Sequence, residues 1–307
     1  SSESRGLGDV YKRQELQGCK NENFVVLGLG LSGLASARAL NASCANVICW
    51  DDDLEKRNLA SSQGLRVIGS VSDFDWESVD RLIISPGVPH HFPSPHPMVS
   101  AAVSAGVLID NDVGLFFQSI ATESWEKFSV RPRIIAVTGS NGKSTIASLL
   151  HHIFLKLGYK SQLAGNIGRG VLDIDPPENN ELIVLELSSY QTEVARILSP
   201  DLAIFTNFSA DHLERHGGIG GYLAAKRRLF TEGCPDYSII GVDELAGLNL
   251  AQQLSASIGD ESIIRVSVTK QIRRFDWSIF CDGSCLVEHR KGKQINSIDL
   301  KLSLIHI

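Results

Sequence analysis

Arg133-Ile-Ile-Ala-Val-Thr138-Gly139-Ser140-Asn141-Gly142-Lys143-Ser144-Thr145 is the stretch that decides the fold. Arg133 to Thr138 reads as a buried strand, and from about Ser144 to Leu157 apolar residues recur at helical spacing. A strand that passes through glycines into a helix aims consecutive backbone N–H groups at one point, where the helix N-terminus adds partial positive charge. Lys143 can neutralise β/γ-phosphate charge there, and the Ser144 hydroxyl can ligate Mg2+. The usual Gly-x-x-x-x-Gly-Lys-Ser/Thr spacing is not met, because Val137 takes the first glycine position. The strand–loop–helix context therefore carries the reading of a nucleoside triphosphate site.

Another glycine loop, the first in chain order, lies upstream. Asn23-Phe-Val-Val-Leu27 runs into Gly28-Leu29-Gly30-Leu31-Ser32-Gly33, and small residues at helical spacing follow to Leu40. Asn46 to Trp50 is another strand, and Asp51 at its end follows Gly30 by 21 residues. Spacing alone makes this a dinucleotide fingerprint, with Asp51 on a ribose hydroxyl. NAD(P), another nucleotide diphosphate and a purely structural turn all stay open on this loop by itself. Arg81 to Ser85, Leu182 to Leu187 and Leu202 to Thr206 are further apolar strands, and Gly221 to Phe230 has a helical pattern. Strands alternating with helices predict an α/β protein with parallel sheets, its second unit beginning near Asp112. Residues 262–269, 276–281 and 285–289 read as short strands with Asp282-Gly283 as a hairpin turn. Pro89 to Pro97 is a loop.

Chemistry-bearing residues follow the strands. Glu186 sits in Val184-Leu-Glu-Leu187, where an unpaired carboxylate is costly; it is a Mg2+ ligand or the partner of a buried cation. Asp211-His212 comes shortly after the strand ending at Thr206, near where α/β sheets place their chemistry. His212 alone would read as a surface histidine, and Lys226 as a solvated helix lysine. The run Lys226-Arg227-Arg228 reads as one helix face with Lys226 turned to the site. His90, His91 and His96 have no ordered metal spacing, and Cys281 and Cys285 read as cross-strand neighbours.

Composition removes whole classes. The 307 residues carry a formal charge of −6, which leaves no global basic field for nucleic acid. No apolar run approaches the roughly 20 residues of a membrane span. Six cysteines without a CxxC pair fit a reducing compartment. Residues 1–14 and Ser303-Leu-Ile-His-Ile307 resemble translated adaptor sequence, so both are expected to be foreign tails and the chain to be cut at its C-terminal end.

Taken in order, Gly28–Gly33, Ser85-Pro-Gly-Val-Pro89, Thr138–Thr145, Gly165-Asn-Ile-Gly168, Glu186-Leu-Ser-Ser-Tyr-Gln191, Asp211-His-Leu-Glu-Arg215 and Tyr222-Leu-Ala-Ala-Lys226 resemble the Mur ligases, ATP-dependent amide-forming enzymes of peptidoglycan synthesis. The set is most similar to the D-glutamate-adding branch. The resemblance implies a Rossmann-like domain over 15–111, a P-loop NTPase-like central domain over 112–302, and a third domain, missing here, that binds the incoming amino acid. It implies that Gly28, Leu29, Gly30, Leu31, Ser32, Gly33, Asp51 and Ser85 hold the UDP of UDP-N-acetylmuramoyl-L-alanine, with Asn166 at the alanyl end. Thr138 to Thr145 would bind ATP. Ser144, Glu186, His212 and a carbamylated Lys226 would serve two Mg2+ sites, and Lys143, His212 and Lys226 would act in catalysis. The implied reaction phosphorylates the substrate carboxylate and lets D-glutamate displace phosphate. The implied enzyme is a cytoplasmic monomer that needs neither nucleic acid nor membrane, and this chain alone is expected to be nearly inactive. A redox or sensor protein using NAD(P) on the first loop is the alternative; the second loop speaks against it. A folate-linked glutamate ligase should lack the first loop.

Overall fold

A computed structural model describes residues 16–70, 74–122, 125–211 and 213–300. The two expected foreign tails, and His212, lie outside the described residues.

The apolar strand β1 (Asn23–Leu27) is almost wholly buried, as a parallel strand covered on both faces must be. After it come α1 (Leu31–Ala42), β2 (Asn46–Trp50), α2 (Leu54–Ser62), β3 (Arg81–Ile84), α3 (Pro97–Ser104), β4 (Leu108–Asp110) and α4 (Asp112–Thr122). The four strands form a parallel sheet in the order β2-β1-β3-β4. Strand order reverses between β1 and β3, so their C-terminal ends frame a crevice. Sequence periodicity does not reveal α2, whose one buried residue is Ala60, or the three-residue β4. Nor does it reveal α3, which starts at the proline that closes the expected loop.

The second sheet collects β5 (Arg133–Thr138), β6 (Ser161–Gly165), β7 (Leu182–Glu186), β8 (Leu202–Phe205), β9 (Tyr237–Gly241), β10 (Ile263–Ser267), β11 (Trp277–Asp282), β12 (Cys285–Arg290) and β13 (Lys293–Asp299). Their order is β13-β12-β11-β10-β9-β8-β5-β7-β6. The sheet is parallel from β6 to β11 and ends in antiparallel β12 and β13. Helices α5 (Lys143–Lys156), α6 (Ser189–Val194), α7 (Ile219–Thr231) and α8 (Leu245–Ile258) connect the parallel strands. Two details of the hairpin differ from expectation. Asp282 pairs with Cys285, so the two-residue loop is Gly283-Ser284, and Cys281 faces Leu286 instead of Cys285.

The expected unit boundary falls on the first residue of α4, and that helix packs against both α1 and α6. Its Phe116 and Phe117 are buried in one core with Val26 and Leu40 of the first sheet layer and Ile183 and Leu185 of the second. Polar ties reinforce the junction. Arg38 pairs with Asp173 at 3.2 Å, and the Asn111 amide donates to the Gln191 carbonyl at 2.8 Å.

Candidate functional site

The C-terminal ends of β1 and β3 open onto a cleft of about 470 Å³. Its floor is the first glycine loop, and α1 can start there only because position 33 lacks a side chain. A Cβ on Gly33 would stand 1.7 Å from the Gly28 carbonyl oxygen and 2.8 Å from Ser85 Oγ. Ser85 donates to that same carbonyl at 2.7 Å, so β3 clamps the loop from the side. Asp51 has work here that spacing did not reveal. Its carboxylate accepts from the Leu29 amide at 2.6 Å and the Asp53 amide at 2.9 Å, and so shapes the loop as well as lining the cleft.

Asp52, His96 and Lys56 also line the cleft, and sequence reasoning missed all three as site residues. His96 Nδ1 accepts from the Met98 amide at 3.2 Å and caps α3, which leaves Nε2 to carry the proton. That nitrogen lies 3.1 Å from Asp52 Oδ2. Burial works upward on the Asp52 carboxyl, but the hydrogen bonds from His96 and Trp50 outweigh it and hold the group below its ordinary range. The only signal in the sequence was the acidic triplet Asp51-Asp52-Asp53.

The second glycine loop bridges β5 and α5. Gly139 has φ +140°, and a Cβ there would meet Thr206 Oγ1 at 2.0 Å. Thr138 is wholly buried and donates to the Leu187 carbonyl at 3.0 Å. Ser140 and Asn141 are tied to the ends of β8 through the Asn207 carbonyl and side chain, so neighbouring strands fix the loop. Lys143 Nζ donates to the Ser140 carbonyl at 2.9 Å. Ser144 and Thr145 are exposed on the open side of the turn.

Glu186 is 1% exposed at the end of β7. It accepts from Ser144 Oγ at 3.0 Å and faces Asn166 Nδ2 at 3.4 Å, and its charge also acts on the buried Lys226 ammonium. A buried carboxylate beside a hydroxyl is a hard oxygen donor set and fits Mg2+. Among the described residues no group of three or more His, Cys, Asp or Glu gathers as a metal cluster; the expected ligand His212 is not among them.

Lys226 is 1% exposed on α7 and reaches the back of the loop, donating to the Gly139 carbonyl at 2.7 Å. Burial, with the Lys143 charge as the next cause, brings its ammonium from the ordinary 10.5 down to about 7. Lys226, Arg227 and Arg228 do not form one face. Consecutive helix residues are about 100° apart, and Arg228 instead donates to the Thr192 and Ala195 carbonyls at the end of α6. Lys143, Lys226, Asp211, Tyr222, Ser188, Ser189 and Asn166 line a smaller pocket of about 160 Å³. Asn166 lines both this pocket and the first cleft, so the two adjoin at that residue.

The Mur ligase middle domain matches residues 137–302, more than half of the chain. The chain belongs to the Mur ligase family. Among similar Mur ligases, a UDP-N-acetylmuramoylalanine--D-glutamate ligase of Cereibacter sphaeroides is 54% identical over 286 residues, which is 93% of this chain and 62% of the relative. The enzymes of that name from Ruegeria pomeroyi and Roseobacter denitrificans are 54% and 53% identical, each match covering 93% of this chain and 61% and 62% of the relative. The chain thus spans less than two thirds of the length of these relatives. Mur ligases use ATP and Mg2+. Among the described residues of this family member, no helix is long and apolar enough to cross a membrane.

His90, His91 and His96 have separate tasks: His96 faces Asp52, His90 stands 3.6 Å from Glu193, and the rings of His90 and His91 lie 4.9 Å apart.

Proposed function

We propose that this chain supplies the sugar-nucleotide and ATP-phosphate sites of a ligase that joins D-glutamate to UDP-N-acetylmuramoyl-L-alanine. The observation that carries the reading is that the two clefts adjoin at Asn166, which lines both. A substrate with its diphosphate on the Gly28–Gly33 loop can extend its acyl end past Asn166 to the two lysines. The names of the relatives support this substrate pair. NAD(P) finds no support beyond the loop spacing.

The chemistry follows from charge. A carboxylate is a poor acylating agent and repels the γ-phosphate; Lys143 offsets that repulsion and holds the phosphate in line for transfer. The acyl phosphate then yields to the amine through a tetrahedral intermediate, giving amide, ADP and phosphate. Ser144, Glu186, His212 and a carbamylated Lys226 would hold Mg2+ at two sites, and the metal supplies further neutralisation of phosphate charge. A lysine near neutrality, with a free amine at physiological pH, is the form that CO2 carbamylates, which supports that assignment. The division into a UDP-substrate domain at 15–111 and an ATP-binding domain at 112–302, a monomeric state and a cytoplasmic location belong to the same reading. The amino-acid site would come from the portion of the relatives that this chain does not span.

The test uses the full-length protein carrying this sequence. ADP release should require both UDP-N-acetylmuramoyl-L-alanine and D-glutamate. NAD(P) binding with no response to the sugar nucleotide refutes the reading.

A further inference from the structure

An amide nitrogen keeps fewer protons than the amine that forms it, so the reaction proposed above needs a proton acceptor in the small pocket. α-Amino groups are mostly protonated at pH 7. One arrangement at that pocket matches the need and has no role in phosphate binding. Ser189, which lines the pocket, has its Oγ 2.9 Å from His216 Nε2. His216 Nδ1 lies 2.7 Å from Glu193 Oε2. The His216 side chain is fully buried, its ring stacked on Tyr190 at 5.0 Å and tilted against Tyr222 at 5.3 Å. Arg215 sits over the Tyr190 ring, and His90 approaches the far side of the relay, 3.6 Å from the same Glu193 oxygen. Burial holds His90 below the ordinary imidazole range. A hydroxyl hydrogen-bonded to an imidazole, with a carboxylate at ion-pair distance from the ring, is a set of groups that can accept a proton and pass it on.

We propose that Ser189, His216 and Glu193 form a proton relay that accepts the proton of the attacking amine. The proposal rests on the ligase reading. The Glu193 carboxylate, at ion-pair distance from Nδ1 but not hydrogen-bonded to it, favours the protonated ring, while Nε2 faces Ser189 Oγ and takes its proton. The ammonium of D-glutamate gives one proton to Ser189 Oγ as the serine proton passes to His216 Nε2, and the free amine forms the C–N bond at the acyl carbon. The C–O bond to phosphate breaks, its electron pair leaves with phosphate, and the nitrogen's surplus proton goes to that phosphate. The imidazolium returns its proton through Ser189 to water. Ser189 is the catalytic residue of the relay, because it touches the amine, and Glu193 is a positioning residue.

The experiment compares two nucleophiles in the full-length protein. D-glutamate needs a base, whereas hydroxylamine is already unprotonated at neutral pH and traps the same acyl phosphate as a hydroxamate. Ser189→Ala removes one oxygen and His216→Gln removes the acceptor. Each should lower amide formation by about a hundredfold or more, while hydroxamate formation stays at the parental rate. Raising the pH should restore much of the lost amide rate, and Glu193→Gln should give a smaller loss of the same kind. An equal fall in amide and hydroxamate overturns the relay and leaves a positioning role. Unchanged amide formation in Ser189→Ala also overturns it, and makes Asp211 in the same pocket the acceptor to test. If the parent protein forms no hydroxamate, the ligase reading fails and the relay with it.

Discussion

Gly33→Ala tests whether the first glycine loop is held open by close packing. The added methyl would sit 1.7 Å from the Gly28 carbonyl oxygen and 2.8 Å from Ser85 Oγ. Neither is the end of a flexible chain: one is backbone and the other is already bonded to that backbone. α1 or the loop must therefore move by more than an ångström. Overpacking of this kind costs about 1–3 kcal/mol, and loss of the Ser85–Gly28 hydrogen bond adds about 1 kcal/mol. The sum of about 2–4 kcal/mol corresponds to a fall of several degrees in Tm. Gly30→Ala is the internal control, because a Cβ there meets nothing within 4 Å and the backbone is in the ordinary extended region. The assay is thermal melting with calorimetric titration of UDP. Gly33→Ala should melt earlier and lose most UDP affinity, whereas Gly30→Ala should melt with the parent. Equal melting of all three proteins with undiminished UDP binding by Gly33→Ala would show that the loop does not depend on this contact.

Three further outcomes follow from other parts of the site and core. Lys143→Ala in the full-length protein should abolish ATP turnover but leave UDP-sugar binding nearly intact, since Lys143 lies at the pocket and not at the first cleft; calorimetry and ADP release separate the two effects. Lys226→Ala should lower turnover, with partial rescue by a short carboxylic acid, and full activity without additive would exclude the carbamate. Burial lifts Asp110 from the ordinary 3.8 to about 6, so between those values the native state keeps a proton that the unfolded chain has released. Its contribution to stability is complete below about pH 4 and is lost as the pH rises through 6, by up to about 3 kcal/mol. In Asp110→Asn the urea-unfolding free energy should lack this slope, because Asn keeps the acceptor that serves the Asn111 and Arg196 amides.

The elements that could be read early are those with a nearly continuous apolar run. β1, β5, β7 and β8 are buried on both faces, so their composition alone marks them. β6 is harder to see: Ser161-Gln-Leu-Ala-Gly165 mixes polar and small residues, since its alternate positions meet solvent and core. Site residues divide in the same way. Lys143 and Ser144 are adjacent in sequence and tied to a loop, so a local pattern exposes them. His216, Ser189 and Glu193 meet only because α6 and the turn before α7 pack together, and each by itself reads as an ordinary polar residue.

The sequence by itself determined the class of fold, the two glycine turns and the family, because each rests on backbone conformations and residue types set within a dozen positions. Tertiary structure decided what those parts share. It gave Asp51 to the loop it was expected to face, placed Lys226 in a dry setting beside Lys143, and made Asn166 a wall of both clefts. Those outcomes depend on distances between segments far apart in the chain and on the removal of water from charged groups. Neither quantity exists until the two sheets have closed around α4.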